Sequence, residues 1–182
     1  MHVVISFLPV NPDGPVPPDP SDQRRPPPRT LWHYTTAWKL DRILEAGVIR
    51  PATAGIAAGE QPVVWFSSRP TWEPTASKSP AAGRLGEIFT AAAQGGLVRI
   101  AVSPETAPYG FSHLPLVART PPSVCIRLCV SGLEMGADPD DWRFTTEAVP
   151  RHAWVGIERY RFEDDLWVAA EHAASPGSSP VG

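Results

Sequence analysis

The sequence predicts an α+β domain. Three observations lead there. Short runs rich in β-branched and aromatic residues recur along the chain, as strands require. Only a few segments carry apolar residues at helical spacing. The two kinds do not alternate regularly, so a parallel βαβ sheet is not indicated. At 182 residues, with 42% hydrophobic residues and seven tryptophans, the chain can build one real core.

The elements follow in order. Residues 11–29 hold eight prolines. Proline lacks an amide donor and fixes φ, so residues 1–29 read as a Pro-rich N-terminal arm with a polyproline-like linker. An SH3-type ligand role for RRPPPR carries little weight beside that. Residues 30–34 form a strand. Thr35 or Thr36 caps a helix over Ala37–Ala46, with Leu40, Ile43 and Leu44 on one face, and Gly47 stops it. Residues 48–51 are briefly extended, and 52–61 form a small-residue loop.

Residues 62–67 (PVVWFS) read as a buried strand. Residues 69–80 carry three prolines and exclude regular structure. A short helix is expected over 83–93, a strand over Leu97–Val102, and loop with a helical turn over 103–122. Residues 124–135 (VCIRLCVSGLEM) suit either a helix or a strand, with helix favoured by Cys125, Leu128, Cys129 and Leu133. An acidic turn over 138–141 leads to strands over Trp142–Thr145, 154–162 and 166–170. Residues 30–172 are thus expected as one domain, and 173–182 as a disordered tail.

Composition excludes several function classes. Net charge is −3 with a pI near 5.9, unlike the basic face of a general polyanion binder. Cys125 and Cys129 suit core positions and give no disulfide framework, so a reducing cytoplasm is the expected compartment. No paired ligands accompany them, so no metal site is expected. Residues 1–10 are too short to span a bilayer, which takes about 20 apolar residues. They also lack the charged flank of a signal peptide, so no membrane partner is expected.

The chemistry concentrates in residues 31–78. His33, Tyr34, Thr35 and Thr36 close the first strand, and Trp65, Phe66, Ser67 and Ser68 close the second. An imidazole and hydroxyls beside aromatic faces can clamp a nucleotide by hydrogen bonds and stacking. The same residues also suit a plain core with capping hydroxyls. No phosphate loop, HExxH, CxxC pair or GxSxG is present.

The pattern aromatic-H-Y-T, then L..IL..G.I.P, then V-aromatic-F-S resembles the first half of ADP-ribosyltransferase-fold proteins. It is similar to the DNA-targeting ADP-ribosyltransferase toxins and the tRNA 2′-phosphotransferases. Thr145-Thr146-Glu147-Ala148-Val149-Pro150 resembles the toxin segment where a catalytic glutamate begins a strand. Residues 31–161 also resemble small bacterial proteins sharing the WFS, WEPTA and GA.P.DW elements.

The resemblance implies an ADP-ribosyltransferase-like split mixed sheet with short flanking helices, and NAD as substrate. It implies that His33 bonds a ribose of NAD and that Tyr34 or Trp65 packs on nicotinamide. Ser67 would support the acid, with Thr35, Phe66 and Ser68 completing the NAD site. Glu147 would bond the 2′-hydroxyl of the nicotinamide ribose and stabilise the oxocarbenium-like transition state. Glu73, close after the second strand, is a rival acid, and Arg42 and Arg50 are candidates for the toxin family's catalytic arginine.

The expected function is therefore NAD-dependent ADP-ribosyl transfer to a macromolecular acceptor, protein or nucleic acid. A role as a bacterial toxin or defence effector would leave room for a cognate antitoxin. The alternatives are a non-catalytic nucleotide- or peptide-binding module on the same scaffold and RNA 2′-phosphate transfer, for which no basic quartet can be assembled.

Overall fold

A computed structural model describes residue 16, residues 28–77 and residues 83–170. The Pro-rich arm, apart from residues 16, 28 and 29, and the expected tail lie outside the described residues. Within them the chain is a mixed α+β structure. Its main sheet has seven strands in the order β5-β6-β3-β1-β4-β8-β9, and β2 and β7 form a two-stranded sheet. The strands are β1 (Leu31–Thr36), β2 (Val48–Ile49), β3 (Val64–Ser67), β4 (Leu97–Val102), β5 (Tyr109–Gly110), β6 (Trp142–Thr145), β7 (Val149–Pro150), β8 (Trp154–Arg161) and β9 (Leu166–Ala169). Every described strand pairing is antiparallel, where a mixed sheet was expected.

Three α-helices flank the sheet: α1 (Ala37–Ala46), α2 (Gly83–Gln94) and α3 (Pro122–Glu134). α1 follows β1 without a linker. Its expected threonine cap is absent as a side-chain bond; the Thr36 hydroxyl instead donates to Gln94 Oε1 at 3.4 Å. Gly47 ends α1 as read from the sequence, at φ 64°, with its amide on Leu44 O. Only glycine takes that conformation at no steric cost. The 124–135 segment is helical. A short 3-10 turn (Pro74–Ala76) occupies the stretch expected to be irregular, and the 103–122 region holds β5 and a π-helical turn at Leu114–Ala118.

Strand alternation sorts the side chains into two layers. Leu31, Val64, Phe66, Val98, Ile100 and Val102 share one face, where Leu40 of α1, Ile49 of β2 and Val149 of β7 cover them. Leu40 is 1% exposed, so truncation to alanine would cost about 2–5 kcal/mol. The opposite face divides. Trp142 and Phe144 pack with Cys125 and Cys129 of α3, while Tyr34 and Leu97 pack with Trp72 and Trp167. Both cysteines are buried thiols, in keeping with the core role expected of them.

Candidate active site

The sheet is split in its middle. β1 and β4 pair along six residues, but β1 and β3 share one register pair, Trp32 with Ser67. From there towards Thr36 and Val64 the two strands part. A cavity of about 650 Å³ lies along both strands, lined by residues from both faces of the sheet. That is an ordinary size for a ligand site. Pairing of Trp32 with Ser67 closes one end, beside Glu73 of loop 69–77 and Trp142. α1 and β2 border its open end, and α3 contributes Leu128, Ser131 and Met135.

At the closed end stands an acid. Glu73 is 5% exposed. Its Oε2 accepts from Ser67 Oγ at 2.9 Å. Its Oε1 accepts from the Thr75 hydroxyl at 2.9 Å and from the Thr75 amide at 3.4 Å. Pro74 starts the 3-10 turn, and Glu73 sits at its N-cap, so local geometry folds the carboxyl back over Thr75. Ser67 Oγ in turn accepts from the Arg69 amide at 3.2 Å. A buried carboxyl is tolerated where hydrogen bonds replace water, and here both oxygens have donors.

His33 spans the split. Its Nδ1 donates to Trp65 O at 2.9 Å, since a carbonyl only accepts. The imidazole thus replaces a ladder bond where β1 and β3 diverge, and its ring meets Phe66 edge-on at 5.8 Å. Tyr34 lines the same cavity, but its hydroxyl donates to Arg69 O. Burial pushes the Tyr34 phenol well above its ordinary pKa, with Arg99 pulling the other way. It therefore stays a neutral donor at physiological pH.

Of the residues expected to hold NAD, His33, Tyr34, Thr35, Trp65, Phe66 and Ser67 all line the cavity. Phe66 is also core at 3% exposed, and Trp65 packs on Trp142 and Phe144, so the aromatic residues serve both roles. Ser68 does not line it: its hydroxyl donates to Asp141 Oδ1 at 2.8 Å, because alternation turns it away from Ser67. Glu147 is exposed and outside the lining. β6 ends at Thr145, and the Glu147 amide turns back onto Thr145 Oγ1 at 3.2 Å before β7 begins at Val149. The carboxylate expected in the cleft is thus on the surface, and the rival Glu73 is inside.

Other lining residues escaped the sequence reading: Trp32, Thr75 and Trp142 wall the acid's end, and Lys39 is exposed around the open end. Arg42 and Arg50, the two arginines the toxin resemblance offered, line the cavity there as well and are also exposed. None of the three cations takes part in a described ion pair. A glutamate set before Pro-Thr is a turn-capping signal that could have singled out Glu73. Nothing local marks Trp142, which reaches the cleft through β6 and a notch at Gly132.

Fold and site together define an α+β domain with a cavity of about 650 Å³ beside the antiparallel strands β1 and β3, where Glu73 and the exposed Lys39, Arg42 and Arg50 are among the lining residues. No family model matches this chain, and neither a curated protein nor a solved structure matches it. Among the described residues no three His, Cys, Asp or Glu side chains gather as a metal site, and no helix is long and apolar enough to cross a membrane.

Proposed function

We propose that this protein is an NAD-dependent ADP-ribosyltransferase on an ADP-ribosyltransferase-like scaffold, acting on a macromolecular acceptor, with Glu73 as its acid. The observation that carries this is the buried Glu73 carboxyl, held by Ser67 and Thr75 at the closed end of an aromatic cleft that His33 also lines. In the reaction the bond between ribose C1′ and the nicotinamide nitrogen breaks. Nicotinamide leaves with the electron pair, and C1′ gains oxocarbenium character before the acceptor attacks. Glu73 bonds a ribose hydroxyl and faces that positive charge. One charge 4 Å away at an effective dielectric constant of 20 contributes about 4 kcal/mol, roughly a thousandfold in rate.

The cation end suits the rest of the dinucleotide. The strand from Trp32 to Thr36 spans about 13 Å, so a ligand must be long to touch both ends. A dinucleotide with ribose at Glu73 and phosphates towards Lys39, Arg42 and Arg50 has that shape and charge order. The test is release of nicotinamide from NAD by purified protein, compared between wild type and Glu73→Gln. Release that persists at full rate in the variant refutes the assignment.

A second reading keeps the cleft without the chemistry: a nucleotide-binding module. It is favoured by the engagement of the His33 Nδ1 and the Tyr34 hydroxyl with backbone carbonyls, which makes both of them supports of the cleft. Saturable NAD binding without nicotinamide release, in the presence of cell extract as acceptor source, would select it.

A further inference from the structure

Tyr34 on β1 and Arg99 on β4 are register partners, and both are nearly buried on the same sheet face. Their polar ends reach consecutive carbonyls of one loop. The Tyr34 hydroxyl donates to Arg69 O, and Arg99 Nη1 donates to Pro70 O. That loop runs directly from Ser67 to Glu73.

Neither side chain has freedom to leave. Arg99 Nε donates to Glu158 Oε2 at 2.6 Å, and its guanidinium carbon lies 3.7 Å from the centre of the Trp32 ring and 4.4 Å from that of Trp167. The Tyr34 ring meets Trp72 edge-on at 5.3 Å, and Trp72 stacks on Trp167 at 6.4 Å. The loop's other side is tied to the α3–β6 region by the Ser68 amide on Asp141 O at 2.8 Å and Arg69 Nη1 on Gly136 O at 2.9 Å.

The loop therefore bridges the two halves of the split sheet and carries the acid at its end. Prolines at 70 and 74 lack amides to anchor it, so its carbonyls are what a neighbouring strand can hold. Rigid support of this kind decides whether a site is placed to within a fraction of an ångström.

We propose that Tyr34 and Arg99 are positioning residues, a two-carbonyl clamp that sets Glu73 in the cleft. The clamp itself is a statement about the loop; its effect on turnover rests on the proposed transferase activity. In that setting Tyr34 acts on chemistry through the loop rather than by gripping nicotinamide.

The test compares wild type with Tyr34→Phe, which keeps the ring packing and removes one donor, and with Arg99→Lys, which keeps the charge and loses the planar fork. Tyr160→Phe is the control, since it removes a hydroxyl from the same aromatic cluster without touching the loop. Amide hydrogen exchange of Arg69, Thr75 and Ala76 is measured with kcat and KM for nicotinamide release. The expected result is about tenfold faster exchange in Tyr34→Phe, kcat down about tenfold and KM within twofold, with Tyr160→Phe unchanged.

Unchanged exchange in both Tyr34→Phe and Arg99→Lys overturns the clamp. Faster exchange with unchanged kcat overturns its positioning role. A raised KM with unchanged kcat makes Tyr34 a binding residue and overturns it too. If wild type releases no nicotinamide, the transferase reading falls, and the clamp is judged by the exchange result alone.

Discussion

Ser67 Oγ donates to Glu73 Oε2 across 2.9 Å, joining the last residue of β3 to an acid six residues later. The bond closes a small loop at the one point where β1 and β3 still pair, Trp32 with Ser67. Strand end, acid and split are thus one structural unit.

The first prediction separates the two glutamates. Glu73→Gln should lower nicotinamide release about a hundredfold to a thousandfold, as loss of one charge near the reacting carbon implies. NAD binding, followed by quenching of the cleft tryptophans, should stay within threefold. Glu147→Gln should stay within twofold in both measurements. The opposite pattern would return the acid to Glu147 and make Glu73 a turn cap.

His33 tests support against chemistry. His33→Ala leaves the Trp65 carbonyl without its imidazole donor, a loss of about 1–3 kcal/mol, read by urea unfolding. His33→Asn can place an amide nitrogen near the same carbonyl. Its stability should approach wild type while nicotinamide release falls at least tenfold. Full activity in His33→Asn would limit His33 to a structural role.

Gly132 makes room for a cleft wall. A Cβ there would lie 2.4 Å from Trp142 Cη2. The indole meets Trp65 and Phe111 edge-on and has little room to withdraw. Gly132→Ala should therefore cost about 1–3 kcal/mol through overpacking and shift Trp142 into the cavity. Lowered thermal stability together with weaker NAD binding is the expected pair of results; an unchanged melting temperature would show that α3 yields easily.

Burial, then the nearby Glu60 charge, pushes the Cys125 thiol up to about 11. The thiolate is the reactive form, so native Cys125 should react slowly with a disulfide reagent at pH 8 and quickly once unfolded. A raised folded-state pKa means the folded state holds the proton more tightly. The resulting stability is fully present below the ordinary thiol pKa near 9 and is lost as pH rises through about 11. Unfolding curves at pH 8 and pH 10.5 should therefore differ more for wild type than for Cys125→Ala.

The open end of the cleft carries an electrostatic prediction. Lys39→Ala, Arg42→Ala and Arg50→Ala combined should weaken NAD binding about tenfold and flatten its salt dependence, because exposed charges are screened by salt. Binding of nicotinamide riboside, which lacks phosphate, should be unaffected. Equal losses for both ligands would place the three cations outside the binding site.

Much of the fold was legible in the sequence because its signals are local. The β-branched runs at Val64–Ser67 and Leu97–Val102, the helical spacing of Leu40, Ile43 and Leu44, and Gly47 at the helix stop depend only on near neighbours. So did the aromatic and hydroxyl residues at two strand ends. β5 was missed because two residues, Tyr109 and Gly110, carry no pattern of their own, and β7 was expected only through the toxin resemblance.

What only the tertiary structure decided was which residues meet. No short run of residues shows that β1 pairs along six residues with β4 and at one point with β3, although residues of β1 and β3 line the cavity. The toxin resemblance put Glu147 first and left Glu73 as its rival, since each follows a strand end with hydroxyl neighbours. Their placement came from direction: Pro74 and Thr75 turn Glu73 inward onto Ser67, and the turn after Thr145 leaves Glu147 exposed. Strand partners and turn directions are set by contacts far apart in the chain, which no short window of residues encodes.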